Sequence, residues 1–206
     1  MNKLIIILSL FTLTLSSYSQ NETCAIKTVF KSDIPIPKNI FIPDGYVVSY
    51  IQKPLDLNND GLKDFVFDYN KETLRDGDSI FVAIYFQHSD SSFHLARLFH
   101  NLYPIYFKDY SIERYRKLDS NLKEIMDKYD ENPLRGIYYK KNQIEIEFAI
   151  DAMETYTLVF NYNKQRKTWL LEKRISYVSY NNQTIEYDVM GEEQISIEEF
   201  NYFDYL

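Results

Sequence analysis

Cysteine is nearly absent from this chain of 206 residues: Cys24 stands alone, so no disulfide can form within one chain. No histidine lies near it in sequence, and a lone thiol without a positioned base gives no footing for cysteine-nucleophile chemistry. Glycine and proline are scarce, at 5 and 6 residues, and no phosphate-cradling glycine loop, G-x-S-x-G or H-E-x-x-H motif occurs. Clustered Lys or Arg is missing as well. With a net charge of −7, the chain has no electrostatic basis for binding nucleic acid or an anionic membrane. Beyond the N-terminus no apolar run approaches the ~20 residues that cross a bilayer, so a soluble mature chain without a membrane span is expected.

The positive signals begin at the N-terminus. Lys3 precedes an apolar and hydroxyl run over residues 4–15, and Ser17 and Ser19 suit the −3 and −1 positions of a signal peptidase site. Residues 1–19 therefore read as a cleaved signal peptide, placing the protein in the periplasm, at the cell surface or outside the cell. Asn21, Glu22 and Thr23 ahead of Cys24 depart from a lipoprotein signal, so lipidation there is not expected. Residues 20–39 read as a linker, because Pro35 and Pro37 disfavour helix and central strand alike. Residues 40–206 are long enough for one domain with a real core.

Aromatic residues are plentiful, with 19 Tyr and 14 Phe, and they suit half-buried pleated surfaces. Apolar and aromatic strands are expected at residues 65–69, 80–87 and 93–99, the last two joined by a turn at 88–92. Ile144, Ile146, Phe148 and Ile150 alternate with Glu145 and Glu147; Tyr156, Leu158, Phe160 and Tyr162 form the next stripe. Residues 168–180, with Trp169, return against it, and Ile185, Tyr187 and Val189 alternate in the tail. One helix is expected at about 111–132, where Ile112, Tyr115, Leu118, Leu122, Ile125, Met126 and Tyr129 recur at steps of three and four. Asp119, Ser120 and Asn121 offer a point at which it would break in two. The fold class is α+β, predominantly antiparallel β, as meander or sandwich-like sheets with one amphipathic helical insertion.

The most specific pattern is D-x-N-x-D-G-x-x-D at residues 56–64. Asp56, Asn58, Asp60 and Asp64 place oxygens at positions 1, 3, 5 and 9, with Gly61 at position 6, a spacing that points several oxygens at a hard cation such as Ca²⁺. Neither His nor Cys contributes, which argues against zinc. An EF-hand needs Glu at position 12, where Phe67 stands, so that reading fails. The loop, the Phe65-Val66-Phe67 strand and the second strand with its polar turn and Phe93 resemble the FG-GAP/VCBS calcium-loop repeats. The resemblance covers residues 52–96 and implies a structural Ca²⁺ held by Asp56, Asn58, Asp60 and Asp64 and by the Leu62 carbonyl. A complete propeller is excluded, since four blades of four strands do not fit beside a single loop.

Other constellations are weaker. His94 and His100 share a strand face about 20 Å apart, too far for one ion, so the three histidines read as surface or rim residues. Glu145 and Glu147 have the spacing of a glycosidase pair, yet their alternation with Ile144 and Ile146 marks a solvated face. The expected function is an exported, calcium-stabilised binding or interaction domain with a protein or glycan partner. A secreted carbohydrate-active hydrolase and an envelope immunity- or inhibitor-type protein are the alternatives.

Overall fold

The computed structural model describes residues 34, 36–37, 40–103, 106, 111–131, 134–150, 153–191 and 194–202. The signal peptide, Cys24 and most of the expected linker lie outside the described residues.

Two antiparallel meanders make up the fold. The first sheet runs β1 (Tyr46–Ile51), β2 (Phe65–Lys71), β3 (Phe81–Gln87) and β4 (Phe93–Phe99), in that order. The second runs β5 (Leu134–Lys140), β6 (Gln143–Ala149), β7 (Glu154–Asn163), β8 (Thr168–Val178) and β9 (Gln183–Asp188), again in sequence order. Every neighbouring pair is antiparallel, as expected when each strand meets the next through a short connection. The α+β, predominantly antiparallel reading holds.

Period-2 alternation sends Ile144, Ile146 and Phe148 of β6 to one face, where they join Leu158 and Phe160 of β7 and Trp169 and Leu171 of β8. Val66, Val82 and Ile84 meet them from the first sheet, and Leu57, Leu102, Val189, Ile197 and Phe200 complete the core. The other face of the first sheet is covered too: Phe65, Phe67, Tyr69, Ala83 and Tyr85 pack under Ile40, with Ile34, Ile36 and Ile42 against them. The Phe41 carbonyl accepts from the hydroxyls of both Tyr69 and Tyr85, which pins this strap to the sheet. Of the expected linker, Ile34 and Ile36 therefore lie against the core.

The helical insertion is present as two helices, α1 (Ile112–Lys117) and α2 (Ser120–Glu131). Leu118 between them is extended, and Asp119 turns its carboxylate back to accept from Leu122 N at 2.9 Å. An Asp competes for its own helical backbone in the interior and stabilises it as an N-cap, so the periodic pattern splits there. Leu118 and Met126 bury against Tyr115, Leu122 and Ile125, and Arg114 pairs with Asp76 of the β2–β3 loop.

Ile146 is fully buried between the sheets, whereas Thr184 on β9 is exposed. Ile146→Ala should cost about 2–5 kcal/mol and Thr184→Ala about 0.5 kcal/mol or less, read from urea unfolding midpoints.

Candidate metal centre

The chain passes from β1 to β2 through the acidic loop. A bridge between Leu55 and Asp64 closes its neck, with Asp64 N donating to Leu55 O at 2.8 Å. Inside the neck Asn59 and Gly61 adopt positive φ, 58° and 91°, and these two reversals turn the backbone N–H groups inward. The acidic side chains meet them. Asp56 accepts from Asp60 N and Gly61 N, both at 3.1 Å, and Asp60 accepts from Leu62 N at 2.8 Å. Asn58 accepts from Asp60 N and donates its amide to Asp60.

Asp64 plays a different part. Its carboxylate is fully buried, accepting from Leu57 N at 2.8 Å through one oxygen and from Gln87 N at 3.1 Å through the other. It thereby ties the start of the loop to the end of β3. Burial pushes its pKa up to about 6 against the lowering effect of those two N–H groups, and the Asp60 and Asp56 charges add to the rise. Lys141 stands 3.8 Å from Asp56, and the Lys164 ammonium donates to the Asn59 carbonyl. Asn142 N donates to the Asp56 carbonyl, and Leu57 is buried in the inter-sheet core, so the loop is docked on the second sheet.

The donor chemistry fits a hard divalent cation: three carboxylates, one amide oxygen and the Leu62 carbonyl, on which no hydrogen bond ends among the described residues. Each carboxylate oxygen accepting one N–H keeps a further lone pair. As placed, Asp56, Asn58 and Asp60 are turned onto the loop's own backbone. Among the described residues no three His, Cys, Asp or Glu side chains are grouped closely enough to hold a metal ion.

A second acidic group lies inside the sandwich, missed at the level of sequence. Asp68 follows Val66 on the inward face of β2, is 6% exposed, and receives the Tyr103 hydroxyl at 2.9 Å on one oxygen. Among the described residues its other oxygen has no hydrogen-bond partner, nor does the buried hydroxyl of Tyr139. Burial, opposed by the Tyr103 hydrogen bond, raises the Asp68 pKa to about 7. Burial, then the nearby Asp68 charge, raises the hydroxyls of Tyr50, Tyr103 and Tyr139, keeping all three protonated. The signal was available: two residues from Val66 on a strand means the same face.

Glu145 and Glu147 stand on the face of β6 opposite its buried Ile and Phe residues, and Glu145 pairs with Lys140 at 2.6 Å. His100 stands near Phe81, with ring centres 6.5 Å apart, whereas His94 meets His88, with ring centres 4.3 Å apart. The chain matches no family model, no curated protein and no solved structure.

Replacing Asp64 by Asn removes one of two acceptor oxygens and orphans the N–H of Leu57 or Gln87. We expect Asp64→Asn to lose about 1–3 kcal/mol in denaturant titrations, in chelator as well as in Ca²⁺. For Asp68, the folded pKa lies above that of the unfolded chain, so the native state holds a proton the unfolded chain releases. Stability from the neutral carboxyl is full below about pH 4 and is lost as pH rises through about 7. The urea midpoint should therefore fall between about pH 4 and pH 7, and Asp68→Asn should make that fall shallower.

Proposed function

We propose that this protein is an exported binding module whose acidic loop holds one structural Ca²⁺. The observation that carries the reading is the position of Asp64. It opens β2, reaches the end of β3, and belongs to an oxygen-only loop docked on the second sheet. A cation held there by Asp56, Asn58, Asp60, Asp64 and the Leu62 carbonyl would neutralise three clustered carboxylates. It would also fix the loop against both sheets, in a chain whose single cysteine offers no disulfide. The order of loop, strand, connection, strand and turn resembles the FG-GAP/VCBS pattern, which supports this reading.

Recognition is assigned to the end of the second sheet where β6 and β7 meet and β8 turns into β9. Ile150, Met153, Tyr177, Tyr180 and Ile185 are all exposed there, and Ser179 N donates to the Met153 carbonyl, holding the two turns together. Exposed Met and Tyr side chains at these adjoining turns fit a protein or glycan surface.

Calcium at 100 times its dissociation constant should stabilise the fold by about 2.7 kcal/mol, seen as a higher melting temperature than in chelator. Asp60→Ala, at an exposed position, should abolish that shift. Equal melting temperatures in millimolar Ca²⁺ and in chelator would remove the metal from the proposal. A glycan array with wild type and Tyr177→Ala/Tyr180→Ala examines recognition. Hydrolysis of chromogenic glycosides, lost in Glu145→Gln, would replace the binding module with a hydrolase.

A further inference from the structure

The β3–β4 turn brings two imidazoles together. Phe86 pairs with His94 and Gln87 with Phe93, so His88 and His94 are diagonal neighbours on one face of the hairpin. Their ring centres are 4.3 Å apart with the planes at 65°. The turn between them is well held. His88 N donates to Ser92 O and Ser91 N to His88 O, each at 2.9 Å, and Ser91 takes a positive φ of 66°. Asp90 accepts from Ser92 N at 2.9 Å, closing an Asx turn inside the loop.

Ser92 then decides the state of His94. Its hydroxyl is 2.6 Å from the Asp90 carboxylate and 3.1 Å from His94 Nε2. Asp90 Oδ1 receives both the Ser92 N–H and the Ser92 hydroxyl, and a carboxylate can only accept. The single hydroxyl proton therefore goes to Asp90. Ser92 Oγ must accept from His94 Nε2–H, which leaves the lone pair of the neutral imidazole on Nδ1. Serine stands between carboxylate and imidazole, whereas a hydrolase triad places the imidazole between serine and carboxylate. An imidazole whose far N–H is held by an outer acceptor, itself anchored to a carboxylate, is the arrangement that orients a metal ligand.

We infer that His88 and His94 form a two-imidazole site for a divalent late transition ion, Cu²⁺ or Ni²⁺, with His94 binding through Nδ1. Solvent fills the remaining coordination positions. At metal–nitrogen distances of about 2.0–2.1 Å, two imidazoles at a right angle have ring centres roughly 4.5 Å apart, and tetrahedral ones more than about 5 Å. A ring-centre separation of 4.3 Å places the two imidazoles within the span of one tetragonal Cu²⁺ or Ni²⁺. Asp90, two residues beyond His88 in the same turn, offers a nearby negative field to the bound cation. Nitrogen donors make the site indifferent to Ca²⁺, and it stands whether or not the acidic loop binds an ion.

The test is calorimetric titration of the untagged, metal-stripped chain with NiCl₂ near pH 7.5, with circular dichroism to confirm folding. One ion per chain is expected, and His88→Gln and His94→Gln should each weaken binding at least ten-fold. His100→Gln and 1 mM Ca²⁺ should leave it unchanged. Ser92→Ala should weaken binding several-fold, and nitrogen NMR should show His94 as the Nε2–H tautomer in wild type and a mixture in the variant. Ni²⁺ bound no more tightly by wild type than by the His88→Gln/His94→Gln double variant would overturn the inference. Equal loss in His100→Gln, or a wild-type His94 protonated on Nδ1, would do the same.

Discussion

A strand covered on both faces must find two apolar partners, and β2 is such a strand. Phe65, Phe67 and Tyr69 pack beneath the strap that includes Ile40 and Ile42, while Val66 faces the second sheet. Each buried side chain of this kind contributes about 1.5–3 kcal/mol, and neither face could be uncovered without forfeiting several of them. The first sheet therefore has to sit in the middle of three layers: strap, first sheet and second sheet. The acidic loop is drawn into the same arrangement because it runs directly into β2 at Asp64.

Double burial has an electrostatic consequence. Polar residues along this stretch are carried inside with their neighbours: Asp64 just before β2 and Asp68 and Asn70 within it, while Lys71 at its end stays exposed. Asp64 meets two backbone donors and is compensated by them. Among the described residues Asp68 meets only the Tyr103 hydroxyl, leaving an oxygen unpartnered and its proton hard to release. One compensated and one under-partnered carboxylate thus lie four residues apart, just before β2 and within it. The difference lies in which elements happen to end nearby: Gln87 closes β3 beside Asp64, and nothing equivalent reaches the second oxygen of Asp68.

Much of the candidate site was legible residue by residue. The register of Asp56, Asn58, Asp60, Gly61 and Asp64 is a local property, since a tight loop is closed by its own backbone and its own side chains. The reach of Asp64 to Gln87, 23 residues on, was not legible, because it depends on the β2–β3 register and on the length of the intervening loop. His88 and His94 show the same limit. Counting along one strand separated the histidines, whereas the hairpin folds two of them onto one face.

Local alternation and turn chemistry settled from the sequence alone that the chain is antiparallel β with a helical insertion. Side-chain period is imposed by the pleat, and Asp119 caps wherever a helix follows it. The tertiary structure decided which faces meet. Ile185, Tyr187 and Val189 alternate identically on paper, yet Val189 is buried in the core while Ile185 and Tyr187 are exposed. A period of two says only which residues share a face. Whether that face is covered depends on what other elements pack against it, and that information is spread over the whole chain.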